Sequence, residues 1–328
     1  MTPRAIPARP NTPKPRKKWP IVLLAFAGVL LLALIVALGY AQSRYEAVFR
    51  APRVQHEAFT TGNTALKIIV KPPLAQRRIA TLLLPRQSLP DWLLNMTVPE
   101  ETALLFDPDL DQSVLRVRMF INYARLGPVI RDSLNSGGVT QSLPGIQWAP
   151  PEVVMKQPGV LLLEGSAPIS REAVTGTTEQ WIEAGGFSPP PIEGTHVFEA
   201  ALENRNGKGY ATLMALAELN GPLDPKVTNF FNPMTMFSLG SLHVYADFVD
   251  PDTLAVNLLG EANPGAGPDA PKHVKFYIDA IQGLISGELR RKYGAELEGK
   301  STIEGDSVRG VYTIKGIDAL LARLQAAE

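Results

Sequence analysis

The sequence predicts an α+β body of antiparallel sheets and helices, carried behind a single N-terminal transmembrane helix. Three observations predict it. Residues 20–40 (PIVLLAFAGVLLLALIVALGY) form an apolar run without one charge. Beyond them, short apolar segments alternate with Gly, Pro, Asn and Asp clusters, as strands and turns do. Residues 273–293 instead place Val274, Tyr277, Ile278, Ile281, Leu284, Ile285 and Leu289 on one helical stripe.

Composition removes other classes. At 45% hydrophobic residues over 328 positions, the chain is too apolar for disorder. With no cysteine it has no disulfide framework, thiolate zinc site or cysteine nucleophile. Its net charge of zero conceals segregation: residues 1–19 hold six basic side chains and no acid, so residues 20–328 carry 26 basic against 32 acidic, or −6. An acidic body lacks the basic face that nucleic acid requires, which excludes nucleic acid as a partner.

Taken in order, residues 1–19 are a basic, Pro-rich tail that cannot sustain a helix. Residues 20–41 are the membrane helix. At 1.5 Å per residue the 21-residue run from Pro20 to Tyr40 spans about 31 Å, enough for a hydrocarbon core of about 30 Å. Trp19 and Tyr40 suit the two headgroup layers. Lys14, Arg16, Lys17 and Lys18 crowd the leading side, which predicts a cytoplasmic N-terminus and a body across the membrane. Gly39-Tyr40-Ala41 has small residues placed as at a signal-peptide cleavage site, but the apolar run exceeds the usual 7–15 residues of such a signal, which favours an uncleaved anchor. The expected location is a bacterial inner membrane, single-pass, with a periplasmic main domain.

Residues 42–58 read as a stalk, 59–190 as a first α+β half and 191–328 as a second. In the first half, residues 64–70, 79–84, 102–106, 114–120 and 160–163 read as strands. Asp107-Pro108-Asp109 reads as the turn between the third and fourth of these. A helix is expected from Ile121 to Leu134, a long Gly/Pro-rich loop over 137–158, and a helix capped by Ser170 running to Ala184. In the second half, residues 197–202 and 210–219 read as a hairpin about Asn206-Gly207. Residues 239–249 and 254–259 pair about Asp250-Pro251-Asp252, the 273–293 helix follows, residues 301–313 form a hairpin about Gly305-Asp306, and a closing helix covers 317–324.

Three patterns recur in the same order: Asp-Pro-Asp at 107–109 and 250–252; Phe120, Ala124, Gly127 answered by Phe276, Ala280, Gly283; and Glu164-Gly165-Ser166 answered by Glu304-Gly305-Asp306. They suggest two related halves, against the alternative of short motifs recurring by chance.

Chemistry is sparse. No nucleophile elbow, Ser-x-x-Lys, His-Glu-x-x-His or Gly-x-Gly-x-x-Gly dinucleotide fingerprint is present. Asp107, Asp109 and Asp111 alternate as a calcium loop begins, but Gln112 and Arg118 occupy the positions where Gly and Glu are needed. Asp247, Asp250 and Asp252 pose the same choice between calcium and a solvated turn. The four histidines (His56, His196, His243, His273) lack metal-ligand spacing, so neither metal nor cofactor is expected. Ser241 and His243 share a strand face, but without a nameable oxyanion donor or orienting acid. Trp92 and Leu93, with Phe230, Phe231, Met234, Met236 and Phe237, form two apolar clusters that serve either as core or as an apolar binding surface. The expected function is therefore a non-catalytic, membrane-anchored binding or assembly protein of the cell envelope, with an envelope protein or an apolar or lipid ligand as partner. The alternative is an envelope hydrolase whose site the sequence does not display.

Overall fold

The computed structural model describes residue 36, residues 55–71, 99–122, 145–149, 152–153, 160–175, 194–219 and 236–320, and residue 323. The chain divides into a unit Met1–Arg50 and a compact unit Ala51–Glu328. Of the first unit only Val36 is described, as helical and exposed. The predicted span over 20–41 otherwise lies outside the described residues, among which no helix is long and apolar enough to cross a bilayer.

The second unit is α+β, mostly antiparallel sheet. Its described strands are β1 (Leu66–Val70), β2 (Glu101–Asp109), β3 (Val114–Asn122), β4 (Gln147–Trp148), β5 (Glu152–Val153), β6 (Val160–Pro168), β7 (Phe198–Glu203), β8 (Leu239–Asp250), β9 (Thr253–Ala262), β10 (Glu296–Glu304) and β11 (Ser307–Lys315). They join in one sheet, ordered β10-β11-β9-β8-β7-β1-β2-β3-β6-β4, with β5 also on β6. The helices are α1 (Arg171–Thr175), α2 (Lys208–Glu218) and α3 (Ala270–Glu288), the last continuing into a π turn at Leu289–Tyr293. Outward from the central β1–β7 pair the order is the same on both sides: β1-β2-β3-β6 with β4 and β5 at the edge, and β7-β8-β9-β11 with β10 at the edge.

Strand register sorts side chains onto two faces. Leu66, Phe106, Val117, Leu202, Leu242, Gly260 and Val308 lie in register on an inner face. This face carries the main core, closed by Tyr210, Ala211, Met214 and Ala215 of α2 and by Val274 and Ile278 of α3. A side chain at Gly260 would bring a Cβ within 2.9 Å of Val274, so glycine there lets α3 seat on β9. On the outer face Ile69, Ala103, Phe120, Val160 and Leu162 form a smaller cluster under Phe59.

Two expectations are corrected here. Residues 210–218 are helical, not a strand. Their apolar residues fall at 210, 211, 214 and 215, a helical spacing, and Ala, Leu, Met and Glu favour the helix. Asn206 and Gly207 do adopt left-handed φ of 53° and 71°, but they lead into α2 rather than closing a hairpin. Residues 107–109 remain in β2, paired with 116 down to 114, and the turn falls at 110–113. Pro108 is tolerated because β1 pairs with β2 only as far as Phe106, which leaves one edge of β2 open. Ile121 and Asn122 belong to β3; the rest of the helix expected there lies outside the described residues. So do the strand at 79–84 and most of the helix beyond Ser170, whose Oγ accepts the Ala173 N–H at 3.2 Å as a cap should.

Candidate functional site

The outer face is held by a short strap. A 3-10 turn at His56–Phe59 buries His56 against Glu101, with the ring Nδ1 bonded to the carboxylate. Phe59 stacks on Phe120 with ring centroids 5.3 Å apart. Residues 56–58, the end of the expected stalk, are therefore part of the folded body. The strap then delivers the Thr61 and Thr64 hydroxyls to Asp107, donating at 3.2 and 2.5 Å. Arg118, on the neighbouring strand, pairs with the other Asp107 oxygen.

Beside this pair opens a cavity of about 1050 Å3, lined among others by Asp107, Asp109, Asp111, Arg116, Arg118 and Glu164. Its chemistry is largely occupied. Asp107 has three partners, and Asp109 accepts from Arg116 at 3.2 Å and from the Gln112 N–H at 3.1 Å. A calcium ion there would have to displace two arginines, and no group of three metal-ligating residues exists among the described residues. Asp250 and Asp252 likewise cap backbone, accepting from the N–H groups of Asp252 and Asp318. Asp247 bonds the His196 ring at 2.6 Å and the Val197 N–H at 3.1 Å.

Ser241 and His243 do share the outer face of β8. Ser241 Oγ donates to Glu261 at 3.1 Å, not to His243. Burial pushes the Glu261 carboxyl up, with the Ser241 bond opposing it. His243 is 6% exposed, and neither ring nitrogen has a hydrogen-bond partner. Burial lowers its pKa, and the Lys67 charge, two strands away on the same face, lowers it further. A base that makes no bond to its nucleophile cannot activate it, so the pair supplies no hydrolytic geometry.

The inner face offers a different kind of site. At the end of the sheet away from α2, Val70, Phe198, Val244, Phe248, Leu254 and Ile314 share that face. All six are only half-buried, and none joins the main core. On α3, Ile285 stands on the same helix face as Val274 and Ile278 but is 45% exposed, beyond the point where the helix is seated. The result is an apolar group spread over five strands, with buried Ala246 and Tyr312 among its members, that the described helices leave partly in water.

Of the apolar surface expected from sequence, Met236 is core at 4% exposure and Phe237 packs against the core half-buried. Trp92, Leu93, Phe230, Phe231 and Met234 lie outside the described residues. The sequence reading missed the inner-face row because each strand contributes one or two residues, and only the register assembles them. It also missed Asn204, which is 4% exposed. Its Nδ2 donates to the Met236 and Leu239 carbonyls, each at 2.9 Å, and its Oδ1 accepts the Tyr210 N–H at 2.8 Å.

No protein family model matches the sequence, and no curated protein matches it. Two solved structures of TP0453 are similar. Crystal form I is 11% identical at a TM-score of 0.37, and crystal form III is 10% identical at the same TM-score. Each comparison covers 80% of this chain and 94% of that one. At that level the likeness says nothing about ligand or mechanism.

Proposed function

We propose that the chain is a non-catalytic binding protein of the bacterial cell envelope, anchored by one helix over residues 20–41. Its N-terminus lies in the cytoplasm, its body in the periplasm, and its ligand is an apolar molecule such as a lipid. The anchor and its orientation rest on the uncharged run and the cations before it. The ligand class rests on one observation, the half-buried row of Phe198, Val244, Phe248, Leu254 and Ile314. Leaving apolar surface in water costs about 25 cal/mol per Å2, and an apolar ligand laid over it would recover that cost. The polar groups of the outer face, by contrast, are mostly bonded to one another.

The body is two related halves that share one sheet. Support comes from the matching strand order on either side of the β1–β7 pair. Of the recurring motifs, only Asp-Pro-Asp sits at matching hairpins, β2–β3 and β8–β9. Phe120 is in a strand whereas Phe276 is in a helix, and Glu164 lies within β6 whereas Glu304 precedes β11.

One observation favours a second reading, the envelope hydrolase: the polar cavity also gathers Asp111 and Glu164, both exposed. Photo-crosslinking tests the first reading. The full chain, in vesicles carrying a diazirine-labelled phospholipid, is irradiated and the adducts are mapped by mass spectrometry. Adducts on β8 and β9 near Phe248 and Leu254 are expected. Adducts confined to residues 20–41 overturn the ligand assignment. Copurification of one stable envelope protein that blocks β8–β9 labelling would make the row a protein interface instead.

A further inference from the structure

Helix α3 is apolar on two opposite sides. Val274, Tyr277 and Ile278 face the sheet and are buried, and burial raises the Tyr277 hydroxyl to about 12. The opposite stripe is Phe276, Ala280, Gly283, Leu284 and Gly287, spaced i, i+4, i+7, i+8 and i+11. Phe276 is 67% and Leu284 63% exposed, and a Cβ built at Gly283 or Gly287 would meet nothing within 4 Å. This stripe carries no charge over three turns, where a solvated helix face ordinarily carries several.

The end of the helix supplies the second observation. Arg290, Arg291 and Lys292 are exposed, and exposed Arg323 joins them by donating Nη1 to the Lys292 carbonyl at 2.9 Å. One carboxylate, Glu288, pairs with both Arg291 and Lys292. Four cations clustered at one helix end stand out in a chain whose residues 20–328 are −6 overall. Cations at a helix C-terminus favour the dipole, but that accounts for charge in the last turn, not for an uncharged stripe leading into it.

We infer that the exposed face of α3 lies on an anionic lipid surface. Phe276 and Leu284 enter the boundary between headgroups and acyl chains, Ala280, Gly283 and Gly287 let the helix backbone lie close, and Arg290, Arg291, Lys292 and Arg323 bind lipid phosphates. An apolar stripe with flanking cations is the composition that holds a helix in the plane of a membrane interface. Each cation near such a surface contributes about 1 kcal/mol. The inference is independent of the inner-face row and rests on the membrane reading of the chain only in that an anchor keeps α3 near lipid.

The absence of cysteine makes the test clean. Gly283→Cys, and Glu304→Cys at the exposed end of β10 as control, are introduced singly into the full chain and labelled with an environment-sensitive dye. The chains are mixed with vesicles of phosphatidylcholine alone, or with about one third phosphatidylglycerol, containing a spin-labelled quencher lipid. Quenching at residue 283 is expected to rise about threefold with phosphatidylglycerol, to fall at high salt, and to stay low at residue 304. Phe276→Glu with Leu284→Glu should abolish the rise. So should Arg290→Glu with Arg291→Glu; all four side chains are exposed, so circular dichroism should be unchanged. Flotation with phosphatidylcholine vesicles reports the anchor separately. A chain that floats without quenching at residue 283 overturns the inference and leaves the anchor standing. A chain that fails to float, yet shows phosphatidylglycerol-dependent quenching, removes the anchor and supports the inference. A residue-283 signal that is shielded without vesicles and lost on dilution assigns the stripe to a second copy of the chain and overturns the lipid assignment.

Discussion

The two faces of the sheet handle their side chains in opposite ways. On the outer face, ionisable groups are buried in closed sets: Asp107 with Arg118, Thr61 and Thr64, and His56 with Glu101. On the inner face, register lines up more apolar surface than α2 and α3 cover, and the row from Val70 to Ile314 stays partly in water. The outer face therefore spends its chemistry on holding the fold, and the surplus on the inner face is what is left for a ligand.

The strongest way to break this contrast is at Asp107. Asp107→Ala leaves the Arg118 guanidinium, 16% exposed, without its carboxylate. Stability should fall by about 3–5 kcal/mol, read as a lowered urea midpoint. Replacing both partners (Asp107→Leu with Arg118→Met) should recover most of the loss, since a buried pair contributes little over apolar residues of similar size. If the double variant is as unstable as the single, the pair does more than close its own charges. Next comes Asn204→Ala, which removes three hydrogen bonds tying the start of α2 to the segment entering β8. Two carbonyls and one N–H lose their partner in a buried site, a cost of about 3 kcal/mol.

The inner face should respond differently. Phe248→Ser and Leu254→Ser, both half-buried and outside the core, should each cost about 1 kcal/mol or less. Crosslinking of the diazirine phospholipid to β8 and β9 should nevertheless fall severalfold, about a factor of five for the pair. A loss of stability as large as at Asp107, with labelling unchanged, would make the row ordinary core and erase the difference between the faces.

Part of this sheet was legible from sequence because some of its strands alternate along much of their length. Val114–Asn122 and Ser307–Lys315 announce themselves by period 2, and α3 by its 3.6-residue stripe. Two strong local signals misled. Asn206-Gly207 is the residue pair a tight hairpin needs, yet left-handed backbone serves equally at the mouth of a helix, and the helical spacing of residues 210–215 decided the matter. Asp-Pro-Asp suggested a turn at 107–109, but Arg116 and Arg118 across the ladder kept Asp107 and Asp109 in the strand. The candidate site was less legible still. A group built from one or two residues on each of five strands depends on register, which no local window contains.

The smallest effect sharpens the comparison most, because His243 is a polar group on the outer face that has not been closed. Its ring is buried, both nitrogens lack partners, and burial with Lys67 lowers its pKa below the ordinary 6.5. The folded state therefore holds the neutral ring, and the unfolded chain takes up the proton first as pH falls. The stability contributed is full above pH 6.5 and is lost as pH drops through the lowered value. His243→Leu should flatten that limb of the stability curve and, by removing two unsatisfied nitrogens, raise stability at neutral pH by about 1 kcal/mol. Urea midpoints of both chains at pH 8 and pH 5, compared as a difference, cancel His56, His196 and His273, about pH 6.5 being the point where the two curves part. Parallel curves would mean that His243 has found a partner in solution, and that the outer face is closed throughout.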